Sequence, residues 1–141
     1  LFSIQVIDSV TPWLKNIPPY LKTIIQQIVN DIVDELYSEI YDNTPMKTGE
    51  TRKSLRKEVS GNKGIVYSDS IIYVFLEYGT SPHDIFPRKA QVLHWIDESG
   101  EHFAKHVHHP GTKPLAIWRN ALFNVKRRIG KIVKIRISQL R

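Results

Sequence analysis

The sequence predicts an α+β fold: a small antiparallel sheet of two hairpins, packed by a long N-terminal helix and a second, C-terminal helix, with a strand available at each terminus. Three observations lead there. Apolar residues recur every three or four positions between about 19 and 42, which is helical spacing. Shorter runs rich in β-branched and aromatic residues follow, at strand length. Gly, Pro and Asn clusters separate these segments and mark turns.

Taken in order, Phe2, Ile4 and Val6 alternate with Ser3 and Gln5, the pattern of a half-buried strand. Thr11-Pro12 suits the start of a helical turn, threonine as N-cap and proline at the first helical position. After Pro18-Pro19 a long helix is expected from Pro19 to Asp42. Its stripe is Leu21, Ile24, Ile25, Ile28, Ile32, Leu36 and Ile40, widened by Val29 and Val33. Asn43-Thr44-Pro45 ends it, because the residue before a proline is pushed out of the α region. Thr51 to Ser60 and Lys63 to Asp69 read as antiparallel strands around a Gly61-Asn62 turn. Ile71 to Tyr78 is apolar except for Glu77, and periodicity leaves strand and short buried helix both open. A second hairpin is expected from Val92–Asp97 through Ser99-Gly100 to His102–Val107. Pro114 opens a helix to about Arg128, with Leu115, Trp118, Leu122 and Val125 inward. Beyond Gly130, Val133, Ile135 and Ile137 alternate with Lys134, Arg136 and Ser138, which favours a terminal strand with Gly130 as the helix cap; a continued helix through Ile129, Ile132 and Val133 fits the same residues.

One domain, residues 1–141, accommodates all of this, with 44–122 bearing the motifs and 126–141 a basic terminal segment. No apolar run approaches the roughly 20 residues that span a bilayer, and no secretory leader is expected at the N-terminus. The chain opens at Leu1 without methionine, which implies that residues upstream were removed or left out. Cysteine is absent, so no disulfide staples the fold, and a cytosolic origin is favoured. The formal charge of +6 is local. Residues 126–141 hold Lys126, Arg127, Arg128, Lys131, Lys134, Arg136 and Arg141 and no acid; removing those seven leaves thirteen bases against fourteen acids, a net of −1. This segment could meet a polyanion, or be a solvated basic face, the commoner fate of surface Lys and Arg.

Catalytic signatures are missing: no cysteine nucleophile, G-x-S-x-G elbow, P-loop or dinucleotide fingerprint. His83, His94, His102, His106, His108 and His109 form the one dense titratable cluster. A metal needs three or four of them converging, but on a strand His102 and His106 lie roughly 13 Å apart. Loop histidines without a metal are therefore favoured, and a metal-dependent hydrolase is the weakest rival. Glu77 is the carboxylate of interest, for accepting backbone N–H groups from a loop or pairing with a base across a subunit contact. Trp13, Trp95 and Trp118 fall on apolar positions and are expected in the core.

The turns themselves carry a pattern. Pro45, Thr48, Gly49, Arg52 and Ser54 match P-x-x-T-G-x-L-R-x-S, with Thr51 at the leucine position. Glu77, Tyr78, Gly79 and Thr80 match E-[FY]-G-T, preceded by Ile72-Tyr73 where an aromatic and a small residue are usual. Pro87, Lys89 and Ala90 follow as a P-K-x-A-type element, and Val107, His109, Pro110, Gly111, Thr112 and Pro114 match V-x-H-P-G-T-x-P. In this order the motifs resemble the tail-completion, or head–tail joining (neck), proteins of long-tailed bacteriophages, relatives of the lambda minor tail protein Z. The resemblance implies a structural virion protein of a phage or provirus, without catalysis or cofactor. It would sit as a ring, six subunits being the family's expectation, between the tail tube or tail terminator and the head connector, with DNA passing through the lumen. It would be made in the host cytoplasm and end in the neck of the virion. Interface loops would then present Thr48, Gly49, Arg52, Glu77, Tyr78, Gly79, Thr80, Lys89, His109, Pro110, Gly111, Thr112 and Lys113. The rival binding module would use Lys126, Arg127, Arg128, Lys131, Lys134 and Arg136 on nucleic acid.

Overall fold

A computed structural model describes residues 2–9 and 18–139. The expected Thr11-Pro12 turn and Trp13 lie outside the described residues. The fold is α+β. Strand β1 (Phe2–Ile7) precedes helix α1 (Pro19–Asn43), which opens on a proline and stops at Thr44, whose backbone is extended ahead of Pro45. A one-turn helix α2 (Glu50–Lys53) leads into the hairpin of β2 (Leu55–Ser60) and β3 (Lys63–Ser68). Helix α3 (Ile72–Tyr78), the short strand β4 (His83–Ile85) and the hairpin of β5 (Leu93–Asp97) and β6 (Gly100–Ala104) follow. Strand β7 (Val107–His109) and helix α4 (Ile117–Ser138) complete the described chain.

β1 and β2 flank β3, both antiparallel to it, in a three-stranded sheet. Period-2 alternation turns Gly64, Val66 and Ser68 of β3 inward, beneath α1. Helices α1 and α4 pack along each other and close the core, where Val33, Leu36, Ile40, Val66, Tyr73, Trp118, Ala121 and Val125 meet. Full burial of each large aliphatic side chain there contributes roughly 1.5–3 kcal/mol. The Trp118 ring meets Tyr73 edge-on at 5.4 Å and Phe2 of β1 at 5.6 Å, so helix, helix and sheet share one aromatic node. No helix among the described residues is long and apolar enough to cross a membrane.

Several expectations are corrected. The two hairpins do not share a sheet: β2–β3 joins β1, whereas β5–β6 stands by itself. The second hairpin ends at Ala104, and Val107 belongs to β7, which pairs with β4. Thr51 to Lys53 is helical, because the Gly49 carbonyl accepts the Lys53 N–H at 3.0 Å and Arg52 is drawn back to the end of α1. Ile71 to Tyr78 resolves as helix α3.

The terminal strand does not form either. Helix α4 runs unbroken through Gly130 to Ser138. Its phase is set by Ile117, Trp118, Ala121, Val125 and Ile132, which leaves Leu115 and Leu122 each 46% exposed, against expectation. Arg128 binds Glu35 and Glu39, and Arg136 grips Asp31 with two bonds of 2.6 Å, all across to α1. These pairs hold the last turns as helix, whereas the alternating Ile135 and Ile137 stay exposed. Trp95 is not in the core; it lies on His102 across the β5–β6 pair, with ring centroids 5.1 Å apart.

Candidate functional site

The motif residues gather at two fastenings. The first ends α1. Arg52 Nε donates to the Thr44 carbonyl at 2.7 Å and Nη2 to the Asp42 carbonyl at 3.3 Å, two acceptors that the helix end leaves open. Its guanidinium also lies over the Tyr41 ring. Thr44 is buried, donating to the Ile40 carbonyl at 2.6 Å and meeting the Tyr73 hydroxyl at 3.1 Å. Burial pushes the Tyr73 phenol above its ordinary pKa. Ser54 donates to the Thr51 carbonyl and shares a 2.7 Å bond with Ser68 of β3. Thr48 and Gly49 precede α2, where the Thr48 hydroxyl accepts the Glu50 N–H.

The second fastening starts α4. That helix has no side-chain cap of its own: Ala116 precedes it at φ 52°. Glu77, at the end of α3, supplies one from 41 residues away. Its carboxylate accepts the Trp118 N–H at 2.9 Å and the Arg119 N–H at 3.3 Å, with the Arg119 Nε on the same oxygen. An anion at a helix N-terminus satisfies open donors and suits the dipole. Glu77 is one of the few polar side chains in the core, 3% exposed. Glu77 thus accepts backbone N–H groups, but from the first turn of a helix rather than from the loop that was expected.

Next to it two loops interlock. Thr80 and Thr112 exchange backbone bonds of 2.9 and 3.1 Å, and the Thr112 N–H also reaches the Thr80 hydroxyl. Gly79 and Gly111 stand at φ 73° and 86° beside this bridge. A Cβ on either would lie 2.2–2.3 Å from the other loop's carbonyl oxygen, so both positions exclude side chains. Leu115 N–H to Leu76 carbonyl, at 2.8 Å, completes the seam. Tyr78, Pro110, Thr112 and Lys113 are exposed around it, and Lys89 is exposed elsewhere in the following loop.

The histidines divide between sheets and do not form one cluster. His83 and His109 stack across β4–β7, and His109 Nδ1 accepts the Gly111 N–H. His106 Nε2 and His108 Nδ1 lie 2.9 and 2.8 Å from one Asp84 oxygen and hold that carboxyl below its ordinary pKa. On the other hairpin, Ser99 and His102 together hold Asp97 well below the carboxylate range, and His94 sits 2.7 Å from Glu101. No group of three or more His, Asp or Glu side chains among the described residues is arranged to hold a metal ion.

The six basic candidates also separate. Arg128 and Arg136 are committed to α1, while Lys126, Arg127, Lys131 and Lys134 point away from it and meet no carboxylate among the described residues. Two surfaces escape the sequence reading. One is an open groove of about 750 Å³ where Ile72 and Phe75 of α3 face Ile85 of β4. The other is the β5–β6 hairpin, which makes no extended contact with any other element among the described residues and exposes Ile96 by 72% and Phe103 by 62%. Apolar residues on both faces of Leu93–Ala104 were its signal. No protein-family model, curated protein or solved structure matches the chain.

Proposed function

We propose that this chain is a structural subunit that completes the tail of a long-tailed phage or provirus and joins it to the head connector, as a ring in the neck of the virion. The observation that carries the reading is the use of the motif residues. Arg52, Glu77, Gly79 and Gly111 lock helix ends and loops by internal bonds, and the neighbouring Thr48 and Lys113 remain exposed on the loops so held, with Lys89 exposed in the following loop. Rigid exposed loops on a small scaffold serve subunit and partner contacts, because little entropy is lost when they dock. No step of this role needs catalysis or a cofactor. A heterologous contact of suitable rotation closes such subunits into a ring. Tail tube or terminator on one side and connector on the other are the partners, with DNA passing through the lumen.

Native mass spectrometry over a concentration series tests this: a closed, metal-free oligomer is expected. A species that stays monomeric and holds stoichiometric zinc would replace the reading with the metal-dependent one. A second reading has its own observation, the four cations of α4 that meet no carboxylate among the described residues. As a nucleic-acid module, the chain would bind with an affinity falling with salt at a logarithmic slope of at most about −3.6, four contacts at roughly −0.9 each.

A further inference from the structure

The β5–β6 hairpin is the least explained part of the molecule. A two-stranded hairpin by itself is at best marginally stable in water. This one has both edges open and lacks an extended contact with any other helix or strand among the described residues. Its Ile96 and Phe103 share one face, because Ile96 pairs with Glu101 and His94 with Phe103 in the register. The arm is also acidic: residues 93–104 hold Asp97, Glu98 and Glu101 and no Lys or Arg.

The same chain carries a surface of opposite character. The outer face of α4, away from α1, sets Phe123, 61% exposed, and Ile137, 53% exposed, among Lys126, Arg127, Lys131 and Lys134. The lengths agree. Five strand residues extend about 16 Å at roughly 3.3 Å each, and the helix from Phe123 to Lys134 rises about 17 Å at 1.5 Å per residue.

We propose that the hairpin of one copy docks on the outer face of α4 of the next, with Phe103 and Ile96 against Phe123, and the acidic tip among the lysines. Each subunit then offers one arm and one helix, the head-to-tail arrangement that propagates around a ring. Charge complementarity sets the register, and the apolar pairs exclude water at its centre. The proposal rests on the ring reading and gives it a defined contact.

Charge reversal tests it. One variant carries Glu98→Lys with Glu101→Lys, the other Lys131→Glu with Lys134→Glu; all four positions are exposed, so circular dichroism should report unchanged folding. By sedimentation velocity, each variant by itself should need at least about tenfold more protein to assemble than the unmodified chain. An equimolar mixture of the two should assemble again, since arms and helices of opposite sign then alternate, and a single chain with all four changes should do the same. Assembly of the unmodified chain with no effect of either reversal would overturn this contact and leave the ring reading standing. A chain that stays monomeric throughout would overturn both. Loss of duplex DNA binding in the helix variant, with assembly unchanged, would assign the face to nucleic acid instead.

Discussion

Glu77 shows how much one side chain can hold. It sits buried where two backbone N–H groups and a guanidinium converge, so removing it leaves the Trp118 and Arg119 N–H groups at the start of α4 without their acceptor. We expect Glu77→Ala to lower stability by on the order of 3 kcal/mol in urea denaturation, the range for charged hydrogen bonds to a buried group. Gly79 and Gly111 act by absence. A side chain at either meets a carbonyl oxygen of the opposing loop and a backbone conformation that L-residues resist. Gly111→Val should therefore cost more than about 3 kcal/mol, or prevent folding; a variant of unchanged thermal midpoint would mean that the two loops do not interlock.

At the level of elements, α4 makes the sharpest test. Gly130 lies mid-helix, exposed, with nothing within 4 Å of the position a Cβ would take. Gly130→Ala should stabilise the protein by about 1 kcal/mol, the helix propensity difference. If residues 131–138 formed a strand behind a glycine cap, the same change would destabilise. Arg136→Ala should lower the thermal midpoint measurably through the loss of its two-bond pair with Asp31, while Lys134→Ala leaves it nearly unchanged. The small sheets respond to acid. Asp84 and Asp97 are both depressed below their ordinary 3.8, by His108 and His106 in one case and by Ser99 and His102 in the other. A carboxyl depressed in the folded state stabilises above its unfolded pKa and loses that contribution as pH falls through the folded value. Unfolding midpoints should therefore hold between pH 6 and about 4 as far as these two groups decide, and decline below about 3.8. Asp84→Asn should flatten part of that decline.

For the whole molecule, the division between core and periphery matters most. One body of α1, α4 and the three-stranded sheet supplies the buried apolar side chains of the core, joined only by Tyr73 of α3 among the described residues. The β4–β7 pair and the β5–β6 hairpin lie outside it and leave Phe86, Ile96 and Phe103 exposed. In the proposed ring such an arm would have a surface to cover, which it lacks in a monomer. Hydrogen exchange should find β5–β6 the least protected strand pair in the dilute chain and strongly protected in the assembled one. Equal protection in both states would count against the arm as an interface.

The long helix, the β2–β3 hairpin and the first strand were legible in the sequence because each repeats a local period over enough residues, and Pro45 and Gly61-Asn62 punctuate them by backbone sterics alone. The glycine requirement at positions 79 and 111 was legible too, as turn chemistry. What the sequence could not decide depended on partners far along the chain. Residues 131–138 fit strand and helix alike, and Asp31 on the facing helix, held by Arg136, favours the helix. Thr51 to Lys53 read as strand until Arg52 found the carbonyls of Asp42 and Thr44. Glu77 became a cap because the fold brings the start of α4 to it across 41 residues. Period is a local property of a chain, and the sequence determined whatever period alone can specify. Charge pairing and capping are meetings between distant residues, and those only the tertiary structure decided.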